Sequence, residues 1–132
     1  MDEPISVTIN IYKLCSLIRK KAVKAQHKNI AYVYMDCHKS MIDHLCDKYS
    51  EQFSEMRITH NPNMIVDIND IRNFLIEKVN NASTKREAKI YMICHKIVSG
   101  YLFEQYKHQT GIDLNNVRQI YLGANTINGG AL

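Results

Sequence analysis

Tryptophan is absent from this 132-residue chain, proline occurs twice and glycine five times, whereas Ile, Lys, Asn and Tyr are frequent. That bias is typical of AT-rich coding sequence, as in many large DNA viruses, phages and some protists, and implies no mechanism. Long apolar runs are missing too. The longest of note, "IAYVYM" at 30–35, has six residues, far short of the roughly 20 that a membrane-spanning helix needs. The opening stretch "MDEPISVTIN" has two acids and neither a basic n-region nor an apolar h-region, so no signal peptide is expected. An intracellular, reducing location is the expectation, with the four cysteines kept as thiols. A Gly-rich phosphate loop, a G-x-S-x-G elbow and an H-E-x-x-H helix are also lacking, so no motif points to an enzyme.

One further absence is local. Between Pro4 and Met35 there is no acidic residue, while Lys13, Arg19, Lys20, Lys21, Lys24 and Lys28 give a local charge of +6. Elsewhere the composition is that of an ordinary soluble domain, 45% apolar and 23% charged with a net charge of +4. A chain of this length folds as one domain and buries about two thirds of its surface.

What the chain does contain is a repeat. "YMDCHKSM" at 34–41 returns as "YMICHKIV" at 91–98. With an offset of 57, ten of the 25 positions from Lys28 to Gln52 are identical to Lys85–Gln109, without a gap. Positions 31, 35, 38, 42, 45, 49 and 52 step by 3.5 residues, and six of the seven are identical between copies. Such a stripe runs down one helix face and reads as a packing seam, with Cys37 and Cys94 on its shoulder. Thr84 and Glu87 form a capping box at the start of the second copy. Toward the amino terminus the offset continues through Ile11/Ile68, Leu14/Ile71, Leu17/Phe74, Ile18/Leu75, Ala22/Val79 and Ala25/Ala82, spaced as an amphipathic helix. Asn10 and Asp67 are its N-caps.

The expected fold is therefore mostly α. It is a compact helical bundle of two tandem α-hairpin units, about 10–54 and 67–110, within a single domain 1–132 whose internal duplication covers 7–52 and 64–109. "DLNNVRQIYL" at 113–122 parallels "DINDIRNFLI" at 67–76 and suggests a short C-terminal helix, a partial third element. The Gly- and Asn-rich segment 123–132 reads as a flexible tail. "RITHNPNMIV" at 57–66 carries the signal of a small β-hairpin. "ISVTINI" at 5–11 alternates at period 2, so a small sheet beside the helices is the alternative arrangement.

Three functional readings arise from these residues. The preferred one is a non-enzymatic helical interaction protein, an adaptor or an assembly subunit, that meets a protein partner or another copy of itself. Tyr32, Met56, Tyr101 and Tyr121 lie off the seam and are the candidate partner-binding residues, since Tyr and Met suit adaptable interfaces. The second is nucleic-acid binding by Arg19, Lys20, Lys21, Lys24 and Lys28, either exposed as a phosphate-neutralising face or matched inside the bundle by Asp36, Asp43, Asp47, Glu51 and Glu55. No aromatic residues are interleaved with the basic run, which argues against single-strand stacking. The third takes Cys37, His38, Cys94 and His95 as a zinc set or as the centre of an enzyme. Adjacent residues on a helix diverge by 100°, so the packing reading of the Cys-His pairs is the better one, and no cofactor is expected. No membrane partner is expected.

Overall fold

The computed structural model describes residues 4–115. In chain order the elements are β1 (Ser6–Asn10), α1 (Ile11–Lys24), α2 (Lys28–Lys48), α3 (Ser50–Thr59), β2 (Asn63–Asp67), α4 (Ile68–Asn80) and α5 (Lys85–Thr110). The fold is mostly helical with a small two-stranded antiparallel sheet. The second unit is a strand followed by two helices, and the first is a strand followed by three, its second arm being divided into α2 and α3. β2 and α4 begin 57 residues after β1 and α1, so the duplication extends through the strands. The caps sit where the side-chain chemistry requires them. Asn10 Oδ1 accepts the Tyr12 and Lys13 N–H groups, Asp67 Oδ1 that of Asn69, and Thr84 Oγ1 that of Glu87.

The strand register shows how the two units are related. Thr8 pairs with Ile65, its own counterpart in the repeat, while Val7 pairs with Val66 and Ile9 with Met64. A pseudo-twofold axis thus passes between Thr8 and Ile65. Flanking bonds obey the same symmetry: Ile11 N–H donates to Pro62 O and Ile68 N–H to Ile5 O, both at 2.9 Å. The second run of the 57–66 segment is indeed a strand. It pairs with β1 rather than with 57–59, which finish α3. Val7, Ile9, Met64 and Val66 are all buried on one face, and only this pairing lets both alternating strands deliver their apolar sides to one core.

A two-stranded ribbon has two free edges, and both are sealed by glutamine. Gln109 Oε1 accepts the Thr8 N–H at 2.9 Å while its Nε2 donates to Thr8 O at 2.7 Å. Gln52 does the same for Ile65, at 2.7 and 2.8 Å. A primary amide offers one donor and one acceptor side by side, as a neighbouring strand would. This explains why glutamine stands in both copies at this position. Each unit's second helical arm also crosses to the other unit's strand, so the halves are intertwined. Replacing both glutamines with Ala should cost about 0.5–1 kcal/mol per site, because water can reach the exposed edge. It should also speed amide exchange at Thr8 and Ile65 selectively. Unchanged exchange at these two amides would refute the edge-sealing role.

The core seam runs one residue before the stripe that the shared identities suggest over Tyr34, Cys37 and Met41, and joins it at Leu45 and Leu102. Fully buried on α2 are Cys37, Met41 and Leu45, with Tyr34 nearly so; on α5 they are Cys94, Val98 and Leu102, with Tyr91. Met35 and Met92 are 40% and 36% exposed. Along α1 the buried residues are Ile11, Leu14, Cys15, Ile18 and Ala22, and along α4 Ile68, Ile71 and Leu75, as the helical spacing predicts. The second helix of copy one ends at Lys48. Tyr49 departs from helical geometry (φ −115°, ψ 39°) and α3 resumes at Ser50, whereas α5 continues unbroken to Thr110. At the carboxyl end Asp113 Oδ1 accepts the Asn115 N–H. The rest of the segment 113–122, including Tyr121, and the tail 123–132 lie outside the described residues.

Candidate interaction surface

The twin Tyr-Met-x-Cys-His-Lys motifs meet at the pseudo-twofold axis. Cys94 lies against Cys37, and that neighbour, together with burial, pushes its pKa far up. Tyr34 lies beside Cys94 and Tyr91 beside Cys37. Residues on an axis touch their own counterparts, so each copy presents the same side chain to the same neighbour. All four cysteines are free, and Cys46 alone is exposed. Burial raises Cys15 to about 11, partly opposed by Arg19, so the Cys15 and Cys94 thiols are held protonated.

His38 and His95 sit on the flanks. Among the described residues, no three His, Cys, Asp or Glu side chains gather in a way that could hold a metal ion. His38 faces Arg19 across the α1–α2 packing, and His95 is buried on α5. His38 Nε2 and His95 Nδ1 are buried without a hydrogen-bond partner. Burial lowers the pKa of both, with the Arg19 charge adding to the shift at His38. A histidine whose folded pKa is below its unfolded 6.5 binds its proton more readily when unfolded. Stability should thus be fully present above pH 6.5 and decline as pH falls from there. The expected measurement is a thermal midpoint that drops between pH 7.5 and pH 5, and drops less in His95→Gln. A variant with an unaltered pH slope would rule out this origin.

Two polar clusters tie α2 to the other copy. Asp70 accepts from His44 Nε2 at 3.0 Å, Lys48 Nζ at 2.9 Å and the Tyr49 hydroxyl at 3.0 Å. The Tyr49 oxygen in turn accepts the Asp67 N–H at 3.0 Å, and His44 stacks on Phe74 at 4.5 Å. In the second cluster Asp36 accepts from Lys78 Nζ at 3.2 Å and from the Tyr91 hydroxyl at 2.9 Å. Burial opposes ionisation of Asp36, but these two donors outweigh it and lower its pKa.

Neither cluster is repeated in the other copy. The counterpart of Lys78 is Lys21 and that of Asp36 is Ile93; Asp70 corresponds to Lys13. The carboxylates that would face α1 are therefore missing. Arg19, Lys20, Lys21, Lys24 and Lys28 are all exposed, and among the described residues none forms an ion pair. The α2 acids do not neutralise them. Asp36 is engaged by Lys78, while Asp43, Asp47, Glu51 and Glu55 are exposed and farther along the α2–α3 arm. The structure thus leaves all five basic candidates exposed: Arg19, Lys20 and Lys24 border one patch of α1, Lys21 lies on the other shoulder of the same helix, and Lys28 opens α2. α2 begins beside them without a side-chain cap and with no acid in its first turn, which leaves its positive dipole end uncompensated.

An apolar element runs through this face. Val23 is 85% exposed and Tyr12 67%. Ser16, Arg19, Lys20, Val23 and Lys24 line a shallow depression of about 330 Å³. Sequence reasoning passed over Val23, although its position amid cations and off the buried α1 spacing was the available signal. Of the partner candidates, Tyr32 is 76% exposed on the wall of a cleft of about 390 Å³ between the starts of α2 and α5. Met56 packs partly buried against the core. The Tyr101 hydroxyl accepts the Asn10 N–H at 3.1 Å, so it closes the bundle. No helix among the described residues is long and apolar enough to cross a membrane.

Comparison with protein-family models, with curated proteins and with solved structures finds no match.

Proposed function

We propose that the protein is a non-enzymatic interaction module, an adaptor or assembly subunit, whose working surface is the outer face of α1. The observation that carries this reading is the exposed, unpaired set of cations at the end of α1 and the start of α2, with Arg19, Lys20 and Lys24 beside Val23, a set that the other copy lacks. Twin units kept a common interior and diverged on this face. Exposed like charges repel and raise the free energy of the folded chain unless a partner neutralises them. The intertwined core supplies a rigid platform, and the α1 face supplies charge and an apolar contact.

The same cations favour a second reading, contact with the phosphates of a nucleic acid. Binding of that kind would be independent of sequence and would weaken steeply with salt, with a log–log slope of about −0.9 per phosphate neutralised on a duplex. Fluorescence anisotropy with labelled duplex DNA, single-stranded DNA and RNA between 20 and 300 mM salt tests it. Lys20→Glu with Lys24→Glu should abolish the affinity. No detectable binding at the lowest salt would end the nucleic-acid reading. A partner captured equally well by this double variant would end the assignment of the surface.

A further inference from the structure

The basic face has a match on the chain itself. Asp43, Asp47, Glu51 and Glu55 are exposed along the last turns of α2 and on α3, and none forms an ion pair among the described residues. They flank a second shallow depression, about 450 Å³, lined by Cys46, Ser50, Phe53, Ser54 and Arg57. Within one molecule no ion pair joins the two sets of charges among the described residues. Lys28 opens α2 and Asp47 stands 19 residues later, about 28 Å of helical rise. That distance is several times the roughly 8 Å over which charge is screened at physiological salt. The fold thus carries a cationic end, where α1 finishes and α2 begins, and at the far end of α2 and α3 a region in which four acids outnumber Arg57 and the Asp70-bound Lys48.

We infer that the partner of the α1 face is a second copy of this chain, whose acidic α2–α3 end seats on it. This rests on the reading of the protein as an assembly subunit. Val23 shares its depression with Arg19, Lys20 and Lys24, and in the contact its methyls meet the hollow around Phe53 while the lysines meet Asp47 and Glu51. The two surfaces differ, so the contact is heterologous. It leaves one basic end and one acidic end unused at every step, and the copies therefore propagate head to tail into a chain or a ring. Long-range attraction between opposite poles speeds encounter and makes the assembly sensitive to salt.

The test is sedimentation velocity of the full chain from 10 to 200 µM, at 30 and at 500 mM salt. The weight-average sedimentation coefficient should rise with concentration at low salt and fall back to the monomer value at high salt. Lys20→Glu with Lys24→Glu, and separately Asp47→Lys with Glu51→Lys, should each remain monomeric. All four sites are exposed, and circular dichroism checks that both variants fold. Mixing the two variants should restore at least a 1:1 complex, because the native basic face of one meets the native acidic face of the other. A wild-type chain that stays monomeric at 200 µM and low salt, or folded variants that fail to associate when mixed, would overturn the inference. If a monomeric wild type binds a DNA duplex through Lys20 and Lys24, the self-assembly is refuted while the interaction surface stands. If neither is bound, the assignment of the α1 face as the working surface fails as well.

Discussion

Leu45→Ala lowers stability by about 2–5 kcal/mol, the usual cost of a cavity in a closed core, whereas Met35→Ala on the same helix changes it by less than about 0.5 kcal/mol. Leu45 is fully buried and Met35 is 40% exposed, yet both are identical to their counterparts in the second copy, Leu102 and Met92. Repetition alone does not distinguish them. Leu45 belongs to the line Tyr34, Cys37, Met41, Leu45 that faces the interior. Truncation there removes contacts with side chains held by an intertwined backbone, which has little freedom to collapse into the space. Urea unfolding followed by circular dichroism reads both variants, the first as a large loss of midpoint at an unchanged slope. Equal losses would show that the interior seam follows the other stripe.

Asp70→Ala is the second large effect, about 1.5–3 kcal/mol. Three donors converge on this carboxylate, whose side chain is 10% exposed. Removing it strips a partner from the His44 ring and from the Tyr49 hydroxyl, and Tyr49 also holds the start of α4 through the Asp67 N–H. Lys48 is half exposed and rehydrates at little cost, so the ammonium pair contributes the smaller share. Burial works against the Asp70 charge, yet Lys48, His44 and Tyr49 together hold its pKa below the usual 3.8. The same surroundings raise the Tyr49 hydroxyl to about 12, chiefly by burial. For a depressed carboxyl the contribution is fully present above the unfolded value and is lost as pH falls through the folded one. The gap in thermal midpoint between wild type and Asp70→Ala should therefore be constant above about pH 5 and close in strong acid. A gap that persists at pH 2 would mean that the side chain matters for its shape rather than its charge.

Much of this molecule is written in local pattern. The offset of 57, the two amphipathic first helices and the caps at Asn10, Asp67 and Thr84 needed no tertiary information, because each rests on contacts within about four residues. The helical spacing set Lys20 and Lys24 away from Leu14 and Ile18 on α1, but whether they faced solvent or the acids of the next helix was left open until the fold was in place. The interior stripe was harder. Tyr34 and Met35 are adjacent, both repeat, and stripes one residue apart differ by 100° on a helix. Choosing between them requires knowing what lies across the interface. The glutamines illustrate the same difficulty, since identity at 52 and 109 reads as packing until the strand edges they serve are in place. The pairing of β1 with β2, each the opening strand of its own copy, depends on which strand edge is free when the helices close.

The amino-acid order by itself determined that the chain is two copies of one unit, where the helices capped by Asn10, Asp67 and Thr84 start, and that positive charge gathers at one end of copy one. These follow from periodicity and composition, which act along the chain. Only the tertiary structure decided that the copies interlock about an axis through Thr8/Ile65 and Cys37/Cys94, that Lys78 finds a carboxylate while Lys21 does not, and that the basic and acidic faces are held apart. Those outcomes depend on distances between segments remote in sequence. There, a single replacement such as Asp36 by Ile93 in the companion unit decides whether a charge is satisfied inside or left for a partner.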